Sequence, residues 1–296
     1  MPQTTVLIPT YNCGKYIKET ITSILRQDYK DYELLIIDDG SNDNTQEIVG
    51  NFTDNRIIYL KNQKNLGIVK TLNKGIKLSK GEYIARMDAD DIMLGNRLRD
   101  QIDFLESRKD HGMVGGWYQI MDETGNLLDS LRTTQNHDDI KLGLLFRNQF
   151  AHPAVTMRTH LAKKIQYKQD FLYTEDYDLW CRIAEITKVA NLPKLYLSYR
   201  WYNNNTCNTK QKELKSTVVK LLSRELEKYE IIHSVEELMI HAAICFGYRK
   251  RYFNNPEKLE KLNNWLDKVL TAPKVKVLNT QLGLIKFRHN LMSNLI

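Results

Sequence analysis

The segment Gly81-Glu-Tyr-Ile-Ala-Arg-Met-Asp-Ala-Asp-Asp91 constrains the fold more than any other part of the chain. Tyr83 to Met87 read as a buried strand that runs directly into three carboxylates, Asp88, Asp90 and Asp91. A desolvated carboxylate costs free energy unless it is paired or bound to a cation, so acids gathered at the end of an apolar strand need a partner. In an open α/β sheet the carboxyl ends of the strands are where ligands bind. Alternate residues of an extended segment point the same way, so Asp88 and Asp90 can face one divalent ion. An ion held by one or two carboxylates keeps positions free for phosphate oxygens, and the implied ligand is a metal-bound diphosphate.

The surrounding sequence alternates strand and helix signals. Val6–Ile8, Glu33–Ile37 and Arg56–Leu60 read as strands preceding Tyr83–Met87. Between them lie helices marked by Ile17, Ile21, Ile24 and Leu25, by Thr45–Val49, and by Val69, Leu72 and Ile76; Asn96–Glu106 follows as a fourth. This order predicts an α/β fold with right-handed crossovers and a doubly wound, mainly parallel sheet. Pro9-Thr10-Tyr11-Asn12, Asp38-Asp39-Gly40-Ser41 and the acidic triplet then line one edge. No Gly-x-Gly-x-x-Gly follows the first strand. Phosphate is therefore expected on a metal rather than on a glycine-rich helix terminus, which argues against a dinucleotide dehydrogenase.

Farther along, Met113–Met121, Leu127–Leu131, Ala154–Met157, Val189–Leu192 and Tyr196–Tyr202 read as strands, with helices at Asp138–Leu145 and Tyr177–Ile186. Asn203-Asn204-Asn205 reads as an exposed loop. From Gln211 onward the pattern is helical, with a capping box at Ser234 and Glu237 and a helix start at Pro256. The expected organisation is an α/β domain over 1–205, in two parts (1–110 and 111–205), followed by a basic helical region over 206–296.

Hydrophobic residues make up 42% of the chain and charged ones 27%, the balance of a soluble protein rather than a disordered or membrane-spanning one. The opening Met-Pro-Gln-Thr-Thr-Val-Leu-Ile-Pro lacks the features of a signal peptide, and a cytoplasmic location is expected. Cys13, Cys181, Cys207 and Cys245 show neither metal-ligand nor paired spacing and read as reduced thiols. The net charge of +7 sits beyond residue 205, where 16 Lys and Arg face 9 Asp and Glu; the first 205 residues are neutral. Nucleic-acid binding needs a concentrated basic face, so that partner is not expected. Arg249-Lys-Arg-Tyr-Phe253 and Lys274–Asn290 mix bases with apolar residues. Two readings stand: peripheral contact with an anionic inner membrane face, or a helical bundle that packs on the α/β domain or forms a homodimer.

A second acidic group, Thr174-Glu-Asp-Tyr-Asp-Leu-Trp180, reads as a helix start. Asp176, Leu179 and Trp180 share a face, from which Glu175 and Asp178 diverge. Either Glu175 or Asp176 can cap the helix, and a carboxylate desolvated beside Tyr177 and Trp180 can act as a base. Asp91 likewise offers a cap for the helix that follows it.

Taken together, Val6-Leu-Ile-Pro-Thr-Tyr-Asn12, Leu35-Ile-Ile-Asp-Asp-Gly-Ser-Asn-Asp43, Asn65-Leu-Gly67 with Asn73-Lys-Gly75, Met87-Asp-Ala-Asp-Asp91 and Glu175-Asp-Tyr-Asp-Leu-Trp180 resemble the family 2 glycosyltransferases of the GT-A fold. The likeness holds in order and spacing over roughly residues 4–205, and it implies a catalytic domain over 1–205 with a nucleotide-binding part (1–110) and an acceptor-side part (111–205). It implies an inverting enzyme that moves a hexosyl or N-acetylhexosaminyl group from a nucleoside diphosphate sugar, UDP being favoured, to a hydroxyl on a glycan or lipid-linked glycan. Polysaccharide or glycoconjugate synthesis is the implied setting. The resemblance places Pro9, Thr10, Tyr11, Asp38 and Asp39 around the nucleoside, with Ala89 on the donor side; Lys70 and Arg86 carry two readings, as phosphate contacts or as surface and structural charges. It puts Asp88 at the ribose or the metal, and Asp90 on a Mn²⁺ or Mg²⁺ ion. Asp176 becomes the general base, and Glu175 orients it or holds an acceptor hydroxyl.

Three further residues carry two readings each. His152 before Pro153 resembles a family feature or shapes a turn; Trp117 and Trp180 stack on sugars or fill the core. The chain departs from the pattern where Tyr202 follows Tyr199-Arg-Trp, a place where many relatives carry His, and where Gly95 replaces a common Pro. A neutral phenol is a poor ligand for Mg²⁺ or Mn²⁺. The alternatives are a sugar-nucleotide nucleotidylyltransferase, for which the loop after the first strand has too little glycine and basic character, and a non-catalytic scaffold on the same fold.

Overall fold

The computed structural model describes residues 1–202, 209–246, 253–279 and 281–293. Asn203-Asn204-Asn205, Cys207 and the basic–aromatic run 249–252 lie outside them. Two compact groups divide the chain, one of Met1–Gln135 with Phe150–Thr209, the other of Asn136–Gln149 with Lys210–Ile296.

The first group opens with β1 (Thr4–Thr10), α1 (Ile17–Leu25), β2 (Tyr32–Asp38), α2 (Thr45–Gly50), β3 (Ile57–Lys61), α3 (Ile68–Leu78) and β4 (Tyr83–Arg86). It continues through β5 (Ile92–Met93), α4 (Arg97–Ser107), β6 (His111–Met121) and β7 (Leu127–Leu131). After α5 (His137–Leu144), which belongs to the second group, come β8 (Thr156–Arg158), α6 (Thr159–Ile165), α7 (Glu175–Ile186) and β9 (Lys188–Arg200). The sheet order is β3-β2-β1-β4-β8-β6-β9-β5, with β7 paired to β6. β3, β2, β1 and β4 run parallel, as does β9 beside β6; β5, β7 and β8 pair antiparallel.

β1 and β2 are buried along their whole length, as strands covered on both faces should be. Val6, Ile8, Leu34, Ile36 and Ala85 meet Ile17, Ile21 and Ile24 of α1 on one face. On the other, α3 comes so close that a Cβ on Gly75 would lie 2.3 Å from a methyl of Leu7. This doubly wound packing puts the carboxyl ends of β1, β2 and β4 side by side.

Two features were not legible as such in the sequence. The strands read at Val189–Leu192 and Tyr196–Tyr202 are one strand, β9, which ends at Arg200. The register steps from Gly116 opposite Leu192 to Trp117 opposite Leu195, so Pro193-Lys194 is a bulge and not a break. The helix expected at 138–145 is present as α5, but its apolar face joins the C-terminal helices and not the acceptor-side part.

The second group adds α8 (Gln211–Lys228), α9 (Val235–Cys245), α10 (Pro256–Thr271), α11 (Pro273–Lys276) and α12 (Gln281–Ser293). The Ser234–Glu237 capping box forms, and Pro256 starts α10. Leu142, Phe146, Leu226, Ile244, Trp265 and Val269 share its core. Buried among them, His241 accepts from Trp265 Nε1 at its Nδ1 (3.0 Å), which leaves Nε2 to donate to the Leu145 carbonyl (2.6 Å). Cys13, Cys181 and Cys245 form no disulfide among the described residues. No helix among the described residues is long and apolar enough to cross a membrane.

Burial lowers the His241 pKa from 6.5 to about 4. As pH falls below 6.5 the unfolded chain takes up this proton first, so the native state loses stability down to about pH 4, by up to about 3 kcal/mol. Urea midpoints at neutral pH and near pH 4.5 should show the loss. His241→Gln, which keeps a donor and an acceptor, should shrink it.

Candidate active site

Three loops at the carboxyl edge of the sheet are stitched together through side chains. Asn12, in the left-handed region at φ 51°, takes the Asn42 N–H on its Oδ1 (2.9 Å) and donates its own N–H to Ser41 Oγ (2.8 Å). The N–H groups of Cys13 and Gly14 go to Thr45 Oγ1 and Asp43 Oδ2. Asp38 is fully buried and accepts from Ser41 N (2.7 Å) and the Tyr59 hydroxyl. Asp39 accepts from Asn62 Nδ2, Leu66 N and Gly67 N, each at 2.8 Å, which fixes the turn into α3. Both carboxylates thus shape the loops in which the sequence placed a nucleoside.

The acidic loop lies next to them. Carboxylate oxygens of Asp88, Asp90 and Asp91 fall within 4.8 Å of one another. Asp88 pairs with Arg86 Nη2 at 2.6 Å. Asp90 accepts from the Tyr202 hydroxyl at 2.8 Å. Burial and the neighbouring Asp88 push the Asp90 carboxyl up to about 6; burial and Asp90 raise Asp91 well above the carboxylate range. Asp91 does not cap α4, whose N-cap is Asn96. Its Oδ1 instead accepts the Arg200 N–H (2.8 Å), while Oδ2 is buried without a partner. Three carboxylates at this spacing, one of them with an orphaned oxygen, fit a hard divalent cation.

The loop is braced from below and from the side. Arg97 is fully buried yet meets no carboxylate. It donates to the carbonyls of Arg86 (2.8 Å), Pro153 (2.5 Å) and Val155 (3.0 Å) and to Gln101 Oε1 (3.2 Å). Burial and the nearby Arg86 lower its pKa to about 9, still charged at neutral pH. Arg200 donates to the carbonyls of Asp90 (2.8 Å) and Glu123 (3.0 Å) and to Glu19 Oε2 (2.7 Å).

Arg86 connects the two acidic groups. It is 3% exposed, and its Nε and Nη1 have no hydrogen-bond partner. Its charge is felt by His152, Tyr167 and Glu175. His152 Nε2 lies 2.7 Å from the Tyr167 hydroxyl and its ring meets the edge of Trp180. Tyr167 is clasped from α3 by Asn73, which donates to its carbonyl and accepts its N–H, both at 2.9 Å. Gln166 and Tyr173, at φ 51° and 72°, turn the intervening chain toward the start of α7.

At that start neither acid caps the helix. Glu175 is buried with Oε2 unpartnered, and burial followed by Asp176 raises it to about 7. Asp176 is half-exposed and accepts the Tyr177 N–H at 2.7 Å. Asp178 does not turn to solvent; it is buried on Arg182 (2.5 Å). α7 is enclosed almost all round, so a division into faces does not separate core from surface there.

Of the other expected residues, Pro9, Thr10 and Ala89 are buried at the strand ends, Tyr11 is 46% exposed, and Lys70 is exposed on α3. Trp180 is core; Trp117 is half-buried under the Arg132 guanidinium at 5.2 Å. The acidic triplet read from the sequence is brought together with Asp91 in it, whereas Arg97, Arg200 and Tyr167 were missed. Arg97 and Gln101 share the inward side of α4 with Leu98, Ile102 and Leu105, a polar pair on an apolar face that could have been noticed.

The sheet order, the acidic loop on β4 and the acidic start of α7 define a glycosyltransferase of the GT-A type. The model for Glycosyl transferase family 2 matches residues 5–165, and the chain belongs to that family. The Escherichia coli protein WfaP, a UDP-Glc:α-D-GlcNAc-diphosphoundecaprenol β-1,3-glucosyltransferase, is 30% identical over 257 residues, 85% of this chain and 99% of the relative. S. aureus TarS 1–349 in complex with UDP-GlcNAc has the same fold (TM-score 0.64, 19% identity, 99% of this chain and 89% of that one). So does the mannosyltransferase PcManGT from Pyrobaculum calidifontis, solved with GDP-Man and Mn²⁺ (TM-score 0.57, 17% identity, 99% and 85%). The nucleotidylyltransferase and scaffold alternatives yield to this membership: the protein is a sugar-transferring enzyme.

Arg97→Met keeps the volume but leaves three buried carbonyls short of a donor. The urea midpoint should fall by an amount equal to about 3 kcal/mol or more, measured on the full chain.

Proposed function

We propose that the enzyme transfers a hexosyl or N-acetylhexosaminyl group from a UDP-sugar to a hydroxyl of a lipid-diphosphate-linked glycan, with inversion. The observation that carries this reading is Arg86, buried, paired to Asp88 at 2.6 Å and close enough for its charge to act on Glu175 of the second acidic group. Its charge, paired to Asp88 and felt at Glu175, favours an anionic ligand at the acidic loop through the field rather than by direct contact. The printed donor and acceptor of WfaP support the choice of UDP and of a lipid-linked acceptor.

In this reading Pro9, Thr10, Tyr11, Asp38, Asp39 and Ala89 form the nucleoside-side wall, with Lys70 at its rim. Asp88 and Asp90 hold a Mn²⁺ or Mg²⁺ ion, with Asp91 behind them. When bound, such an ion neutralises charge on the diphosphate. Asp176 accepts the proton of the acceptor hydroxyl as its oxygen attacks the anomeric carbon. The bond to the diphosphate oxygen breaks in the same displacement, so the configuration inverts. Glu175, near neutrality in its proton affinity, orders the acceptor hydroxyl beside Asp176. Synthesis of a surface polysaccharide or glycoconjugate at the cytoplasmic membrane face accords with that chemistry. The basic helical region then makes peripheral contact with anionic lipid, for which lipid-linked acceptors supply the reason.

Asp176→Asn should lower transfer by about three orders of magnitude or more while UDP and Mn²⁺ still bind; undiminished turnover removes Asp176 from the mechanism. In a thermal-shift series over nucleoside diphosphates, UDP with Mn²⁺ should raise the melting temperature more than either alone. A larger shift with GDP would overturn the choice of base, and Asp90→Ala should abolish the synergy.

A further inference from the structure

The acidic loop is gripped by the end of β9 and the two residues beyond it. Arg200 holds its main chain: the guanidinium reaches the Asp90 carbonyl, and the Arg200 N–H reaches Asp91 Oδ1. Tyr202 does something different. Its hydroxyl donates to Asp90 Oδ2 at 2.8 Å, a side-chain oxygen of the cluster itself. That hydroxyl is well placed by its surroundings. The Tyr202 ring packs on Tyr16 with centroids 5.7 Å apart, and Tyr16 lies under the Arg200 guanidinium at 4.6 Å and donates to Glu123 Oε1 at 3.1 Å. β9, α1 with its preceding turn, and the β6–β7 turn therefore all bear on where one phenol points.

We propose that Tyr202 is a positioning residue for the divalent ion, which fixes Asp90 by its hydrogen bond to Oδ2 and leaves Oδ1 as the ligating oxygen. The inference rests on the reading that the acidic loop holds Mn²⁺ or Mg²⁺ with a nucleoside diphosphate. A carboxylate whose second oxygen is engaged by a donor presents one oxygen in one orientation, which spares the ion the cost of selecting a rotamer. It also discourages two-oxygen chelation by Asp90, so positions remain for the oxygens of the diphosphate. A neutral phenol contributes little as a ligand in its own right, so Tyr202 acts through Asp90. The Arg200 guanidinium meets Asp90 at its main-chain oxygen, so the Tyr202 hydroxyl and Arg200 hold different atoms of that residue.

The test is Mn²⁺ binding to the full chain in the presence of UDP, read by the electron paramagnetic resonance signal of free and bound Mn²⁺. The wild type is compared with Tyr202→Phe and Tyr202→His. Loss of an outer hydrogen bond to a metal-bound carboxylate typically weakens binding about 10- to 100-fold, and Tyr202→Phe should fall in that range. UDP affinity measured without metal should not change. Tyr202→His restores an N–H donor and should recover most of the Mn²⁺ affinity, a rescue that a packing role for the ring does not predict. Tyr202→Phe binding Mn²⁺ as the wild type does overturns the proposal, as does failure of Tyr202→His to improve on Tyr202→Phe. Absence of Mn²⁺ binding by the wild type itself refutes the metal site, and the proposal with it. If circular dichroism shows Tyr202→Phe misfolded, Tyr16→Phe and Tyr16→Leu, which keep the Tyr202 hydroxyl, are compared: loss of the supporting ring in Tyr16→Leu should weaken Mn²⁺ binding beyond Tyr16→Phe, and equal affinities then overturn the role.

Discussion

Three carboxylate oxygens within 4.8 Å repel one another strongly when partly withdrawn from water, and the surrounding elements are arranged to contain that repulsion. Asp88 is balanced by Arg86 inside the sheet. Asp91 is held by a main-chain N–H, and Asp90 by a phenol and, at its carbonyl, by Arg200. Beneath the loop, Arg97 supplies a buried positive charge that no carboxylate neutralises directly. Removing the charge would cost structure as well as chemistry, because the same contacts tie β4, β9 and the turn at His152 to one another.

The second acidic group is controlled in another way. Where the loop on β4 is braced by cations, the start of α7 is positioned by the path of the chain leading to it. Asn73 clasps the Tyr167 backbone, Arg182 ties Asp178 to the carbonyls of Ile165 and Gln166, and two left-handed residues turn the segment between. Glu175 is thereby buried and raised toward neutrality, while Asp176 beside it keeps access to solvent. One turn of helix thus offers two carboxylates with different surroundings, the condition under which neighbouring acids take separate roles.

Much of this was legible in the residues. The alternation of strands and helices over the first hundred residues is periodic enough to read directly, and the ends of β1, β2 and β4 meet as that order requires. The acid triplet announced itself because carboxylates stand where an apolar strand stops. What stayed hidden depends on long-range pairing. Pro193-Lys194 looks like a break until β6 is seen to pair with both sides of it. The apolar face of α5 gives no sign that its partners lie near residues 226–291 rather than in the adjoining strands. Asp91 resembled a helix cap because its true partner, the Arg200 N–H, is 109 residues away. Contacts of that separation carry no local signature.

One consequence follows from the continuity of β9. The strand leaves the end of α7, runs parallel to β6, and finishes in the residues that hold Asp90 and Asp91. A single stretch of backbone therefore spans from the helix that opens with Glu175 and Asp176 to the acidic loop. It acts as a ruler between the two acidic groups. The Pro193-Lys194 bulge and Leu195 after it are exposed, and the Lys194–Asp100 pair is a surface one, so side chains there can change at little structural cost. The number of residues cannot: one more or one fewer beyond the bulge would turn Arg200 to the opposite face and leave the acids without their clasp. Among relatives, drift in composition along this strand is expected to be wide, and drift in its length to be rare.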